Sequence, residues 1–302
     1  MIMDSETSFT ADIALDVLQQ VCADAGLDAR GAELLGPVGD NAVWRLPLEG
    51  IVARIAWSTD ALPSVRRELG VAAWLAKQDF PAVRVAACGD QPVIHRGRVV
   101  TFWEEIPKPQ QASTAEMGTL LKRLHALPCP DDGLLTPYDP FARQHSHIDE
   151  ATGINPTARA FLTTRLTELQ NAHASLNFAL PPGVIHGDAH RKNIVRAADG
   201  QVMLLDLERF STGHPEWDLT VPAVYRRVGW YDDATYAAFA HAYGLDVTEW
   251  SGFPVLAQIR ELRMTTWLAS RTGREPRLIP EALHRIATLR DPALPRHWSP
   301  GT

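Results

Sequence analysis

From Ala11 to Ala25 the apolar residues Ile13, Ala14, Val17, Leu18, Val21 and Cys22 fall on one helical face and Gly26 closes the run, so the pattern predicts an amphipathic N-terminal helix. The period then shortens. Glu33-Leu34-Leu35 and residues 42–46 read as strands on either side of Gly36-Pro37-Val38-Gly39-Asp40-Asn41, and a third strand, 51–57, follows a turn at Glu49-Gly50. Helical spacing returns over 64–78. Strand-like runs follow at 81–85, Val93–His95 and 98–106, until Pro107 and Pro109 break the pattern. A mainly antiparallel sheet with two helices is therefore expected in 1–106, and a mostly helical domain in 107–302, an α+β chain of two domains.

In the second part, 113–127 carries Met117, Leu120, Leu121 and Leu124 on one face, with Ser113 or Thr114 able to cap it. Residues 128–157 are rich in Pro, Asp, Gly and His and lack periodicity, which predicts a long, partly ordered connection. Its His145, His147, Asp149 and Glu150 could bind metal, but a solvated loop is the simpler expectation. Further helices are expected from Asn155 or Thr157 to about Asn177, over 218–228 and 234–243, from Phe253 to Ser270, and over 280–289.

The densest chemistry lies between the last two groups, in Val184-Ile185-His186-Gly187-Asp188-Ala189-His190-Arg191-Lys192-Asn193-Ile194-Val195 and Val202-Met203-Leu204-Leu205-Asp206. Short apolar runs flank polar residues, and Asp199-Gly200 predicts a tight hairpin turn. An Asp, an Asn five positions on and a second Asp eighteen after the first is a spacing used in phosphoryl transfer: a base for the acceptor hydroxyl, then two oxygen ligands for magnesium. In the first domain, Arg54 is a lone cation in an apolar strand and Glu68 opens the next helix. They can pair to aim a guanidinium at nucleotide phosphates, or form a structural pair. The glycine-bearing turn before residue 42 can cover phosphates or be an ordinary hairpin.

Composition removes several other classes. Three well-separated cysteines, Cys22, Cys88 and Cys129, give neither a disulfide framework nor a Cys-rich zinc site, which suits a reducing cytoplasm. The N-terminal residues include acids rather than a basic leader, and no apolar run approaches the ~18 residues of a membrane helix, so no membrane partner is expected. Net charge is −7. Of 36 acids and 29 bases, 15 and 9 fall in 1–106, leaving 21 and 20 in the rest. With no basic stripe anywhere, nucleic acid is not an expected partner. The oligomeric state is not legible.

His186-Gly187-Asp188 with Asn193, followed by Leu204-Leu205-Asp206, resembles the aminoglycoside phosphotransferase and choline kinase-like family, small-molecule kinases with a bilobal protein-kinase-like fold. The resemblance extends over nearly the whole chain, through the glycine-bearing hairpin, Arg54, Glu68 and the linker. It implies ATP or GTP as donor in a cleft between lobes, Mg2+, and a small-molecule hydroxyl as acceptor. Asp188 would be the catalytic base, and Asn193 and Asp206 the metal ligands. Arg54, where many relatives carry lysine, would contact the α/β-phosphates and pair with Glu68. Trp103, Glu104 and Ile106 would lie in the hinge whose backbone reads adenine. His186 and Asp218 would brace the catalytic loop, Leu207 fits the position after the metal-binding aspartate, and Glu208 could reach a second metal or the acceptor, or serve as a cap.

The acceptor could be an aminoglycoside or another antibiotic, implying antibiotic resistance, or a metabolite such as an amino sugar, choline or homoserine. A polycationic antibiotic calls for carboxylates, and Asp232, Asp233, Asp246, Glu249 and Glu261 are candidates. Trp230 and Trp267, with Trp217, Tyr225, Tyr231 and Trp250, would suit an apolar-faced acceptor, though core packing also explains them. Two other readings compete. His186, Asp188, His190, Asp206 and His214 resemble a zinc metallohydrolase ligand set, which would leave Asn193, Arg54 and Glu68 without a role. An inactive nucleotide-binding module is the other, and an intact Asp188, Asn193 and Asp206 set argues against it.

Overall fold

A computed structural model describes residues 9–39, 41–130 and 133–301. Asp40 of the glycine-bearing turn and residues 1–8 of the acidic N-terminal segment lie outside the described residues. The chain forms two compact units, Met1–Gln111 with Pro130–Leu135 and Lys192–Phe210, and Ala112–Cys129 with Thr136–Arg191 and Ser211–Thr302. The 192–210 segment, which the division at 106/107 assigns to the second domain, thus belongs to the first unit.

In the first unit, α1 (Ala11–Ala25) is opened by the Thr10 hydroxyl, which accepts from the Ile13 amide, and closed by Gly26 at φ 70°. The antiparallel sheet runs β1 (Glu33–Leu34), β2 (Asn41–Leu46), β3 (Ile51–Ala56), β5 (Arg98–Glu104) and β4 (Val93–His95) in spatial order. Side chains alternate across it. Ala42, Trp44, Leu46, Ile51, Ala53 and Ile55 share a core with Val17, Leu18 and Val21 of α1. Arg54 therefore projects from the opposite face, where α2 (Leu62–Lys77) carries Glu68.

A second antiparallel sheet joins β6 (Gln110–Gln111) to the hairpin of β8 (Ile194–Arg196) and β9 (Val202–Leu204). The Val83 amide donates to the Leu204 carbonyl at 2.9 Å and the Leu204 amide to Pro81 at 3.0 Å, which fastens this hairpin to the first unit. The strand expected at 81–85 does not form as a ladder. Its bonds are split between Leu204 and β5, leaving isolated bridges at Ala82 and Val85. The hairpin turn is also wider than expected, spanning 197–201, with Gly200 at φ 86°.

The second unit holds α3 (Thr114–His125), started by a Ser113–Glu116 capping box, with α4 (Gln144–Glu150), α5 (Pro156–Ala174), α6 (Glu216–Arg227), α7 (Asp233–Tyr243), α8 (Phe253–Ser270) and α9 (Ile279–Arg290). Its ribbon pairs β7 (Gly183–Ile185) with β10 (Ser211–Gly213). Helix α8 buries residues around most of its circumference, as a central helix must. Ile259 and Leu262 share a core with Leu162 and Leu166 of α5, Ile286 of α9 and Trp217 of α6.

The 128–157 connection contains more structure than its sequence predicts. Helix α4 is held from outside: the Thr266 hydroxyl of α8 donates to the Gln144 side-chain oxygen at 2.6 Å. His147 turns inward while His145, Asp149 and Glu150 face solvent. Among the described residues no group of three or more His, Cys, Asp or Glu is arranged to hold a metal ion. No described helix is long and apolar enough to cross a membrane.

Candidate active site

In the second unit, β7 ends in His186-Gly187-Asp188, and this turn is fixed atom by atom. The fully buried Asp218 carboxylate accepts from the His186 amide at 2.7 Å and the Gly187 amide at 2.9 Å. His125 of α3 reaches the same carboxylate through Nε2 at 3.1 Å, and its Nδ1 meets the Tyr243 hydroxyl at 2.9 Å. The Gly187 carbonyl accepts from Trp217 Nε1 at 3.0 Å and from the Tyr138 hydroxyl at 3.2 Å. Gly187 sits at φ 82°, a left-handed conformation that a side chain would strain, so glycine is required at the tightest point. The Asp188 amide donates to His186 Nδ1 at 3.2 Å, which puts the ring proton on Nε2. His186 and Asp218 thus both hold the loop.

The Asp188 side chain is one-quarter exposed. Its Oδ1 lies 3.0 Å from Arg260 of α8, and its Oδ2 lies 3.9 Å from His190 Nε2. Arg260 also donates to the Tyr225 hydroxyl. Burial works against the guanidinium charge, but Asp188, then Tyr225 and Tyr138, more than restore it, so the Arg260 pKa is held above its ordinary value.

In the first unit, Asn193 and Asp206 flank one end of the β8–β9 hairpin, where the Leu205 amide donates to the Asn193 carbonyl at 2.8 Å. Asn193 is buried; Asp206 is exposed, at φ 55°. Arg54 and Glu68 form a two-contact ion pair, Nη1–Oε1 at 2.9 Å and Nη2–Oε2 at 2.7 Å. Burial pushes the Glu68 carboxyl above the usual range; Arg54 pulls it back, and the charges of Asp206 and Glu208 push it up again. The Glu68, Asp206 and Glu208 carboxylates lie close enough to act on one another, and Asp206 with the Asn193 amide supplies hard oxygen donors. That donor set fits a divalent cation of the magnesium and calcium kind better than zinc.

Of the three hinge residues, Trp103 is buried and donates through Nε1 to the Thr101 hydroxyl at 2.9 Å. The Glu104 amide donates to the Arg84 carbonyl at 2.9 Å, so that amide is committed within the protein. Glu105 likewise donates to Gly50 at 2.8 Å. Ile106 lies two positions beyond the strand.

Of the acidic acceptor candidates, Asp246 and Glu249 line one cavity together with Trp250, while Asp232, Asp233 and Glu261 are not among its lining residues. Asp232 caps α7 by accepting from the Thr235 amide, and Asp233 is exposed, 3.5 Å from Arg226. Asp246 accepts from Tyr236 and Thr248 at 2.6 Å each. Glu261, expected to face the acceptor, is fully buried between Arg227 at 2.8 Å and Arg296 at 3.3 Å. Burial pushes its carboxyl up and the two arginines pull it down. Trp230 donates to the Trp298 carbonyl at 2.7 Å, and Trp267 is nearly half exposed, with Arg271 over its ring. The zinc reading lacks a ligand set: among the described residues no group of three or more His, Cys, Asp or Glu could hold a metal ion, and His214 stacks on Phe178 with its Nδ1 3.0 Å from the Leu180 carbonyl.

Sequence reasoning missed Arg260, His125 and the Gly187 anchors Tyr138 and Trp217. Their only signal is polarity within apolar helices or an unstructured-looking linker, and none is near Asp188 in sequence.

Fold and site together define a small-molecule kinase with the protein-kinase-like fold. The chain belongs to the phosphotransferase enzyme family, whose model matches residues 35–262. No curated protein sequence matches it. Similar solved structures include the microcompartment-associated aminopropanol kinase, with 17% identity, TM-score 0.71 and coverage of 91% of this chain and 96% of that one. An amicoumacin kinase in complex with AMP-PNP, Ca2+ and Ami shares 13% identity at TM-score 0.69, covering 95% of this chain and 97% of that one. An aminoglycoside phosphotransferase of Streptomyces rimosus shares 20% at TM-score 0.62, covering 84% and 99%.

Proposed function

We propose that the protein transfers the γ-phosphoryl group of ATP, or GTP, to a hydroxyl of a small molecule, with Asp188 as the base. The anchored His186-Gly187-Asp188 turn carries this reading. It holds a carboxylate in one orientation, which a group that must meet an acceptor hydroxyl requires. Asp188 orients that hydroxyl and takes its proton, the oxygen bonds to the γ-phosphorus, and the bond to ADP breaks. Asn193 and Asp206 would hold Mg2+, which offsets phosphate charge when bound. Arg54, oriented by Glu68, would contact the α/β-phosphates. The Trp103–Ile106 backbone would read the base through its carbonyls and the Ile106 amide.

For the acceptor, two observations favour a neutral or singly charged molecule over a polycation. Asp232, Asp246 and Glu261 are spent on a helix cap, hydroxyl hydrogen bonds and ion pairs, and an arginine lies 3.0 Å from Asp188. Amino sugars, choline, homoserine and singly charged antibiotics such as macrolides therefore rank ahead of aminoglycosides. An ATP-consumption screen over these compounds, with aminoglycosides and peptide antibiotics alongside, tests the reading. Asp188→Ala should lower acceptor-dependent turnover by about 10²-fold or more while nucleotide affinity holds, and Asp206→Ala should weaken Mg-nucleotide binding. Near-normal turnover in the first, or unchanged affinity in the second, would remove the assigned role.

A further inference from the structure

The geometry points to Arg260 as the residue that positions the catalytic base: it holds Asp188 ionised and in one rotamer, without itself touching the phosphoryl group. This rests on Asp188 being the base. Arg260 sits in α8, the central helix of the second unit, and its side chain is one-tenth exposed. A buried guanidinium is costly unless paired, so its presence requires a partner. Asp188 at 3.0 Å is that partner, and the Tyr225 hydroxyl of α6 takes a second N–H.

Other ionisable groups surround the pair. His190 lies 3.9 Å from the other Asp188 oxygen. Tyr138 bonds the Gly187 carbonyl and feels the Arg260 charge. Arg263 lies over the Tyr138 and Trp217 rings at 6.0 and 5.6 Å, and Arg191 over the Tyr231 ring at 6.0 Å, with Tyr231 against Tyr225. Asp188 is the sole carboxylate among these named groups, and Arg260 is the cation in contact with it. Backbone anchoring by Asp218 fixes where residue 188 sits; Arg260 fixes where its carboxylate points. A cation at 3.0 Å also stabilises the ionised form, so the base should stay unprotonated to lower pH than it would alone.

The test compares wild type, Arg260→Met and Arg260→Lys, with Mg-ATP hydrolysis by water as the reaction, followed against pH, and Mg-ATP affinity by calorimetry. Arg260→Met should lower kcat at least tenfold and leave Mg-ATP affinity within twofold. The acidic limb of its profile should move up by about one pH unit or more, because removing a contacting cation raises a carboxylate pKa. Arg260→Lys keeps the charge and should keep the wild-type limb while recovering part of kcat. Thermal melts supply a readout independent of activity: the Arg260→Met shift should shrink in an Asp188→Asn background. An unmoved acidic limb in a folded Arg260→Met variant, or an equal melting shift in both backgrounds, would overturn the positioning role. A wild-type chain that binds Mg-ATP yet shows no Asp188-dependent turnover would overturn the base itself, and the role of Arg260 with it.

Discussion

Asp218→Asn tests the support of the catalytic turn most directly, because it changes one atom and almost no volume. Both carboxylate oxygens are in use: one takes the His186 amide and His125 Nε2, the other the Gly187 amide. An asparagine offers one acceptor oxygen and places an NH2 against a backbone N–H, so at least one buried donor is orphaned. An orphaned buried donor costs about 1–3 kcal/mol, and hydrogen bonds to a charged acceptor are worth about 1.5–3 kcal/mol each, so a loss of about 3 kcal/mol follows. At about 2.1 cal/mol/K of unfolding entropy per residue, the 302-residue chain should melt roughly 5 °C lower, and further if the second unit melts alone. The kinetic effect should be separable: turnover falls at least tenfold, because a small misplacement of a catalytic group is costly. Mg-nucleotide affinity, which the proposed function assigns to the β8–β9 hairpin, should hold. Differential scanning fluorimetry and steady-state kinetics on the purified variant check both. A melting shift under 1 °C with turnover within twofold of wild type would refute the argument that Asp218 holds the loop.

Two further outcomes concern the rest of the chain. Glu261→Ala should destabilise the second unit by about 3–5 kcal/mol, since it leaves Arg227 and Arg296 without the carboxylate between them; a denaturant midpoint equal to wild type would mean those arginines relax into solvent. Burial pushes the Cys22 thiol up to about 11, so at pH 8 a maleimide should label exposed Cys129 and spare Cys22 until the chain unfolds; mass spectrometry showing Cys22 labelled under native conditions would contradict the packing of α1.

Where local signals are strong, the sequence predicts structure closely. Helix α1 begins after a threonine cap and ends at a glycine, and α8 matches its expected span from Phe253 to Ser270. The pairing of Arg54 with Glu68 was legible because an isolated cation in an apolar strand needs a partner and an acid sat on the next helix. Helix α4 was not, because seven residues carry no periodicity and their order depends on Thr266 and the surface of α8. Arg260 was hidden for a related reason. It lies seventy-two positions after Asp188 on a helix buried nearly all round, where a charge beside Glu261 and near Arg263 does not say which way it points. Glu261, its neighbour, was read as facing an acceptor when it faces two arginines. Adjacent positions on a helix point about 100° apart, so opposite fates for residues 260 and 261 are what the geometry demands.

The two aspartates of the site are held by opposite means, and this shapes what each can do. Asp188 follows a glycine that takes up the left-handed turn at no steric cost; hydrogen bonds from α6 and a linker tyrosine lock the turn, His125 of α3 braces Asp218, and Arg260 of α8 forms an ion pair with Asp188. Asp206 itself occupies a left-handed conformation, at φ 55° and ψ 77°, which costs a non-glycine residue of order 1 kcal/mol or more. Its side chain makes no capping bond to the short helix it precedes, and it is exposed. Neighbouring Glu68 and Glu208 add negative charge to the same region. An aspartate kept strained, exposed and among like charges gains most from a cation, whereas one fixed by a network gains most from staying where it is. Loosening the supports of Asp188 should therefore appear chiefly in kcat. Loosening the hairpin around Asp206 should appear chiefly in the affinity for metal and nucleotide.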